Sequence, residues 1–428
     1  MVARTSGTAA STSRHQLGES RRTKDGRSNQ DASVPRLLVV GPLPPPPDGP
    51  SVSFQLFCDE ARYEPGTEVV VIDSSPKRLK DDQTARFSSQ NLLQAMRVLV
   101  PFIRRVWSVD RVLIFGGNRF LLTIGSLLIL IAKLARKPCY LRVFGGSLDR
   151  YYRQLNPIFR RILLSVLTQA DGVILQTELL RTFLRRLIGD SVHLVPGYRV
   201  MPRLEHRDPP STATANLRLV FVGHVREAKG IFVLLESLRA LSPSSGPVVH
   251  CDVFGPIYEH DAVRFEQELA HTDTATYRGI LPAEEVVSTL KKYDALVLPT
   301  HYRGEGHPGV LVEAMMAGLP AITSDFRSIP ELVTHRVNGL LIAPKDTHAL
   351  AEAIEALHAD RRLLAEMGKQ NWNRRVDYDA RHLSSLILRA VGIDAKSTLF
   401  TAPPRFQPPA SAGDLNYTIE QTTPENTS

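Results

Sequence analysis

Short apolar runs of strand length recur along the chain, separated by longer segments whose apolar residues return every three or four positions. The first series is Leu37–Gly41, Val69–Asp73, Val112–Phe115, Tyr140–Phe144 and Val173–Leu175. A second begins at Leu217–Gly223 and continues through Val249–Gly255, Ala295–Pro299 and Ala321–Ser324. Unbroken apolar runs suit strands buried on both faces, and the intervening helices supply the crossovers that parallel strands require. The pattern predicts an α/β fold with two Rossmann-like, doubly wound parallel sheets.

Shifts in composition set the expected boundaries. Residues 1–33 are rich in Ser, Thr, Arg and Gly, and no apolar core follows Arg21 and Arg22. A disordered leader is expected there, with a transit peptide as the alternative and no secretory signal. An N-terminal domain follows over 34–204, then a polar, proline-bearing linker over 205–216 and a C-terminal domain over 217–372. Residues 373–394 are expected to form a helix crossing back to the N-terminal domain. The stretch 395–428, rich in Pro, Thr, Ser and Asn, is expected to be a disordered tail. No solenoid repeat is present.

The 428 residues, 43% of them hydrophobic, suffice for two separate cores. Cys58, Cys139 and Cys251 are widely spaced and have no metal-ligand pattern, which points to a reduced, cytoplasmic setting without zinc or disulfides. A net charge of +8 favours anionic partners. The chain offers no recognition helix or aromatic-basic module, so nucleic acid is not an expected partner. The apolar run 120–132, followed by Lys133, Arg136 and Lys137, is shorter than the roughly 20 residues that cross a bilayer. It reads either as a buried helix on the first sheet or as an interfacial segment for peripheral membrane contact.

Candidate chemistry concentrates between Tyr293 and Lys345. After the strand at Ala295–Pro299, a loop carrying Gly304, Gly306 and Gly309 leads into ValLeuValGluAlaMetMetAla, a helix that Gly318 and Pro320 should stop. Pro308 suits the first turn, where its missing N–H costs nothing. Unpaired amides at such a start, uncovered by glycines, form a phosphate site. Glu305 lies in the loop and Glu313 on the helix, about one and a half turns in.

Other loops at strand ends carry further candidates. Residues 222–230 (VGHVREAKG) follow a strand and precede a helix, which puts Gly223, His224, Arg226 and Lys229 at the mouth of the second lobe. Lys229 is expected to neutralise diphosphate. The rigid loop 41–51 (GPLPPPPDGPS) enters the cleft from the first strand, and residues 144–149 (FGGSLD) follow another strand. Gly145 and Gly146 serve either a tight turn or ligand contact; Ser147 and Asp149 are candidates for acceptor binding. Asp377, Tyr378 and Asp379 resemble a metal-binding acidic pair but fall in a late helical region, so no metal is expected. His301 reads as polar surface.

The succession GEGHPGVLVEAMMAGLPAITSD, then SIPELV and NGLLIAP, resembles the donor-binding signature of retaining glycosyltransferases of family 4, whose GT-B fold has two Rossmann-like domains facing across a cleft. The family pattern of two glutamates separated by seven residues falls on Glu305 and Glu313. The resemblance spans about residues 35–390. It implies a metal-independent hexosyltransferase, with no cofactor beyond a UDP- or GDP-linked sugar donor. Glu305 would position the transferred sugar and Glu313 would meet the ribose. Gly306, His307, Pro308, Gly309, Val310 and Leu311 would form the rest of the donor site with Gly223, His224 and Arg226. Gly49, Gly145, Gly146 and Asp149 would line the acceptor side.

The chain departs from that pattern in two places. His224 stands where the family usually has Arg, and Gly145 where many members have a sugar-contacting His. The FGGS and THYRGEG segments look most like enzymes of bacterial exopolysaccharide and capsule assembly. That likeness implies a lipid-linked oligosaccharide acceptor at the inner face of the cytoplasmic membrane. The alternative is a catalytically silent nucleotide-sugar-binding subunit of such an assembly complex.

Overall fold

A computed structural model describes residues 34–45, 48–75, 89–202, 216–241 and 248–394. The expected leader 1–33, linker positions 205–215 and tail 395–428 lie outside the described residues, as do Pro46 and Pro47 of the proline loop.

The first lobe holds β1 (Arg36–Gly41), β2 (Glu68–Asp73), β3 (Arg111–Gly116), β4 (Cys139–Val143), β5 (Gly172–Leu175) and β6 (Val192–Leu194), in the order β2-β1-β3-β4-β5-β6. The second holds β7 (Asn216–Val222), β8 (Val248–Phe254), β9 (Ala275–Tyr277), β10 (Ala295–Leu298), β11 (Ala321–Ser324) and β12 (Gly339–Ile342), in the order β12-β11-β10-β7-β8-β9. All the paired strands in both sheets run parallel. The winding reverses between β1 and β3 and again between β7 and β10, so the loops leaving those strands diverge and open a crevice at the carboxyl edge of each sheet.

The strands foreseen from apolar runs are present. Strands β6, β9 and β12 were not foreseen: three residues such as ValHisLeu or AlaThrTyr carry no readable period, and Gly339–Ile342 stands out only as part of the NGLLIAP segment; pairing with β5, β8 and β11 decides them.

Helices Ser89–Arg105, Ser126–Leu134, Pro157–Gln169 and Glu178–Ile188 cover one face of the first sheet, burying Phe102, Leu128, Leu163 and Leu180. Helices Gly49–Tyr63 and Ala380–Ala390 cover the other, where Phe54, Phe57, Leu383 and Ile387 pack on Val39 and Leu113. The last helix among the described residues thus completes the core of the first lobe. The second lobe has one continuous core running from Leu217 to Tyr378. The three cysteines are buried thiols, and burial pushes Cys58 and Cys139 up to about 12.

The run 120–132 is only half buried. Leu121–Gly125 forms a π-helical turn that leads into Ser126–Leu134; Leu121, Leu128 and Ile129 point inward, while Leu127, Leu130 and Leu134 are exposed. No helix among the described residues is long and apolar enough to cross a membrane.

Candidate active site

Two loops meet at the switch point of the second sheet. After β7, the chain turns through a short 3-10 helix, Glu227–Lys229, to Gly230, which adopts the left-handed conformation (φ 82°) before helix Ile231–Ala240. A Cβ on Gly230 would lie 2.1 Å from the Pro299 carbonyl oxygen, so glycine is what lets this loop close on the loop after β10. The closure brings Lys229 Nζ to 2.9 and 2.8 Å from the two carboxylate oxygens of Glu305. Glu305 is buried, and Thr300 Oγ1 also donates to it at 3.4 Å. A carboxylate removed from water needs such partners, and Lys229 provides the compensating charge.

The same loops carry a cluster of positive charge. Arg226 stacks between the rings of Tyr258 and Tyr302, at 4.9 and 5.1 Å, and Lys229 lies 5.3 Å from the Tyr302 ring. Loss of hydration, and then the neighbouring cations Lys229 and Arg226, hold the His224 imidazole below its ordinary range; Asp48 from the first lobe acts in the opposite sense. Asp48 also caps the helix Gly49–Tyr63 through the Ser51 amide, so the residue whose charge acts on His224 is fixed at the start of that helix. Gly49 opens that helix with no atom within 4 Å of where its Cβ would stand.

Helix Gly309–Ala317 takes in Gly309, expected in the preceding loop, and Pro308 is its cap instead of a residue of its first turn. The Leu311 and Val312 amides turn back to the Pro308 carbonyl at 3.1 and 3.5 Å, so the amides of Gly309 and Val310 stand ahead of the first intrahelical bonds. Leu311 is buried and Val310 packs beside it on the lobe's core, which fixes the helix start. Gly318, left-handed at φ 66°, ends the helix. Glu313 does not stand open: Arg199 Nε donates to its Oε1 at 2.6 Å. A Cβ on Gly309 would fall 1.7 Å from Arg199 Nη2, so this glycine makes room for the arginine.

The glycines after β4 lie directly against this loop. Gly145 is left-handed (φ 84°), and the Gly146 N–H donates to the Gly304 carbonyl at 3.0 Å. A Cβ on Gly146 would sit 1.6 Å from the Glu305 carbonyl oxygen. Asp149, buried, accepts two bonds from Arg327, at 2.6 and 3.1 Å, and Arg327 Nη2 also donates to the Gly146 carbonyl. The side chain expected to face an acceptor is therefore a partner in an ion pair between the lobes.

His307 is likewise occupied. The Gly197 N–H donates to its Nδ1 at 3.4 Å, which leaves Nε2 to donate to Glu331 at 3.1 Å. Glu331 in turn accepts from the amides of Glu178 and Leu179, at 2.7 and 3.0 Å, where the helix Glu178–Ile188 begins. A carboxylate from one lobe thus caps a helix of the other. Beneath this contact the fully buried Arg142 of β4 donates to the carbonyls of Leu175 and Pro196, both at 3.0 Å, and steadies the segment that carries Gly197 and Arg199. Burial pushes Arg142 down to about 10.

Sequence reasoning missed Arg142, Arg199, Arg327 and Glu331. Only Glu331 left a trace, inside the quoted SIPELV segment. Asp379, from the acidic pair set aside for metal, opens the helix Ala380–Ala390 and accepts from the Met201 amide at 3.3 Å.

Residues 203–374 match the model of the family described as glycosyl transferases group 1. The chain is 32% identical over 149 residues to AmsK, the amylovoran biosynthesis glycosyltransferase of Erwinia amylovora, which is 32% of this chain and 34% of AmsK. It is 29% identical over 195 residues, 44% of this chain and 43% of the relative, to WcaL of Salmonella typhimurium, a putative colanic acid biosynthesis glycosyltransferase. Among solved structures, Anabaena HepE in complex with UDP superposes with a TM-score of 0.64 at 15% identity, over 83% of this chain and 99% of HepE. The fold is GT-B. This chain spans less than half the length of AmsK and of WcaL.

Proposed function

We propose that the protein is a retaining, metal-independent glycosyltransferase of family 4. It moves a hexose from a UDP- or GDP-linked donor to a hydroxyl of a lipid-linked oligosaccharide, in bacterial exopolysaccharide or capsule assembly at the inner face of the cytoplasmic membrane. The observation that carries this reading is the Lys229–Glu305 pair at the switch point of the second sheet, beside the amides that open helix Gly309–Ala317. The match to glycosyl transferases group 1 covers this whole constellation, and HepE, of the same fold, was solved with UDP and with UDP-glucose.

The chemistry follows from where charge develops. The bond between the anomeric carbon and the bridging phosphate oxygen breaks, and its electron pair leaves with the diphosphate. The acceptor oxygen bonds to the same face of the carbon, and its proton passes to the departing phosphate oxygen. Lys229 and the amides of Gly309 and Val310 stabilise the leaving charge, the largest contribution a fixed site makes to such a step. Glu305 steers the sugar and stabilises its oxocarbenium-like carbon. In the free protein Lys229 compensates Glu305; an arriving diphosphate shares that cation.

Glu313 keeps acceptor capacity for ribose hydroxyls, since a carboxylate has about four acceptor positions and Arg199 engages one of its oxygens. The contacts between the lobes around Gly146 and Asp149 exclude water from the donor loop and so limit wasteful hydrolysis.

The test is donor hydrolysis and transfer by the purified protein. Glu305→Gln should lower the rate by about a hundredfold, whereas the exposed Arg62→Gln should leave it unchanged. UDP-sugar binding without turnover in the unsubstituted protein would instead favour the silent binding subunit.

A further inference from the structure

The face of the first lobe formed by helices Ser89–Arg105, Ser126–Leu134 and Pro157–Gln169 carries a feature that neither its core nor the donor site requires. Each helix buries one apolar stripe and shows a second to solvent. On Ser126–Leu134 the outward stripe is Leu127, Leu130 and Leu134, the last 71% exposed. On its neighbours it is Ile103, with Trp107 of the 3-10 turn Val106–Ser108 just beyond and 63% exposed, and Ile158 with Ile162, the former 69% exposed. The three helices share one core under the sheet, so these stripes lie side by side on one surface. Scattered exposed apolar residues are ordinary, but adjoining stripes on three helices are not.

The charged residues of these three helices have one sign. Residues 89–109, 118–138 and 157–170 contain no Asp or Glu. The first segment carries Arg97, Arg104 and Arg105. The second ends in Lys133, Arg136 and Lys137, and the third has Arg160 and Arg161. Of these, Lys133 is held by Asp171 at 2.6 Å, Arg105 donates to the Val71 carbonyl and Arg160 to the carbonyls of Tyr152, Arg153 and Leu155, which leaves Arg97, Arg104, Arg136, Lys137 and Arg161 as the cations of the rim. Helix Ala262–Ala270, by contrast, carries Arg264 together with Glu266 and Glu268.

We infer that this face docks on an anionic phospholipid surface, with the leucine, isoleucine and tryptophan side chains entering the headgroup boundary and the arginines and lysines meeting lipid phosphates. Apolar residues flanked by cations of one sign are what such a surface selects. A second copy of this chain is a poor occupant, because a two-fold contact through this face would set one cationic rim against the other. Helix Pro157–Gln169 directly follows Leu148–Gln154, whose first turn holds Asp149 beside the donor loop. At 1.5 Å per residue the intervening helix is only about 10 Å long, so docking brings the cleft to headgroup level. The surface is argued independently of the reaction; only its use in presenting a lipid-linked acceptor rests on the proposed function.

The experiment is co-sedimentation of the full chain with vesicles of phosphatidylethanolamine and phosphatidylglycerol, against vesicles of phosphatidylcholine alone. Binding is expected to the anionic vesicles, weakening as salt rises. The combined variant Leu127→Ser, Leu130→Ser, Ile158→Ser should lower it by about tenfold. Arg104→Gln with Arg161→Gln should lower it about fivefold for each arginine removed. All of these side chains are exposed, and an unchanged melting temperature would verify that the variants fold. Equal binding to both vesicle types, or binding that neither variant weakens, would overturn the inference. So would a dimer in solution that the serine variant dissolves while vesicle binding persists. Hydrolysis of UDP-sugars without vesicles reads the transferase proposal alone, so the two can fail separately.

Discussion

Arg199 Nε stands 2.6 Å from Glu313 Oε1, and this contact ties the segment leaving the first lobe to the helix that opens the donor site. Both side chains are mostly buried, with 13% and 14% of their surface exposed. The position of Glu313 therefore depends on the connection between the lobes as well as on its own helix. Arg199→Ala should weaken UDP binding by about tenfold even though Arg199 needs no contact with the nucleotide, because it frees a carboxylate that must be held for the ribose. A double-mutant cycle with Glu313→Ala, measured by calorimetry, should show the two losses to be non-additive. Fully additive losses would separate Arg199 from the site.

The Arg327–Asp149 pair is a second cross-lobe tie, with both side chains buried. Removing one partner of a buried pair leaves an uncompensated charge, which costs about 3 kcal/mol or more. Asp149→Ala should therefore lower the urea midpoint substantially, while Asp149→Leu combined with Arg327→Leu should recover part of the loss. Equal destabilisation by the single and double variants would mean that the pair is not the source of the effect.

Gly146 and Gly49 make opposite predictions from one geometric criterion. A Cβ on Gly146 would collide with backbone, the Glu305 carbonyl oxygen at 1.6 Å, so Gly146→Ala must push the lobes apart or displace the donor loop. Transfer should fall by well over about tenfold, since small displacements of reacting groups are costly. Gly49→Ala meets nothing within 4 Å and should leave the melting temperature of the free protein unaltered. Any loss it causes should appear only with substrate present. A Gly146→Ala protein of full activity would contradict the packing described here.

These ties also show where sequence stops being informative. The strands with continuous apolar runs were legible for that reason, and the helix at Gly309–Ala317 because Pro308 and Gly318 bracket it. The loops carrying Lys229 and Glu305 were legible because each follows a strand at the carboxyl edge. Arg327 was not: its meaning comes from Asp149, 178 positions away, and from a left-handed backbone (φ 56°) that nothing in an arginine announces. Arg199 was hidden in the same way, with its partner 114 positions on. His307 looked like a donor ligand by position, but its direction is set by Gly197 and Glu331, which only the packed lobes bring together.

His224 gives a pH dependence whose sign can be worked out. In the free protein its pKa lies below the ordinary 6.5, first because it loses hydration and then because Lys229 and Arg226 repel a third positive charge. The fold therefore favours the neutral ring, and the stability of the free protein falls as pH drops from that ordinary value through the folded one. Donor binding should run the other way. A diphosphate beside His224 favours the charged ring, so affinity for UDP-glucose should rise as pH falls, by at most about tenfold per pH unit for the one proton taken up. A sugar-linked diphosphate is the right probe, because a terminal phosphate monoester such as that of UDP titrates near pH ~6 itself. Calorimetric titrations from pH ~7.5 to ~5.5 span the range in which histidine changes charge. His224→Arg, charged throughout, should bind more tightly at neutral pH and show a flat profile. A flat profile in the unsubstituted protein would place His224 away from the diphosphate, and with it the basic loop from which Lys229 reaches Glu305.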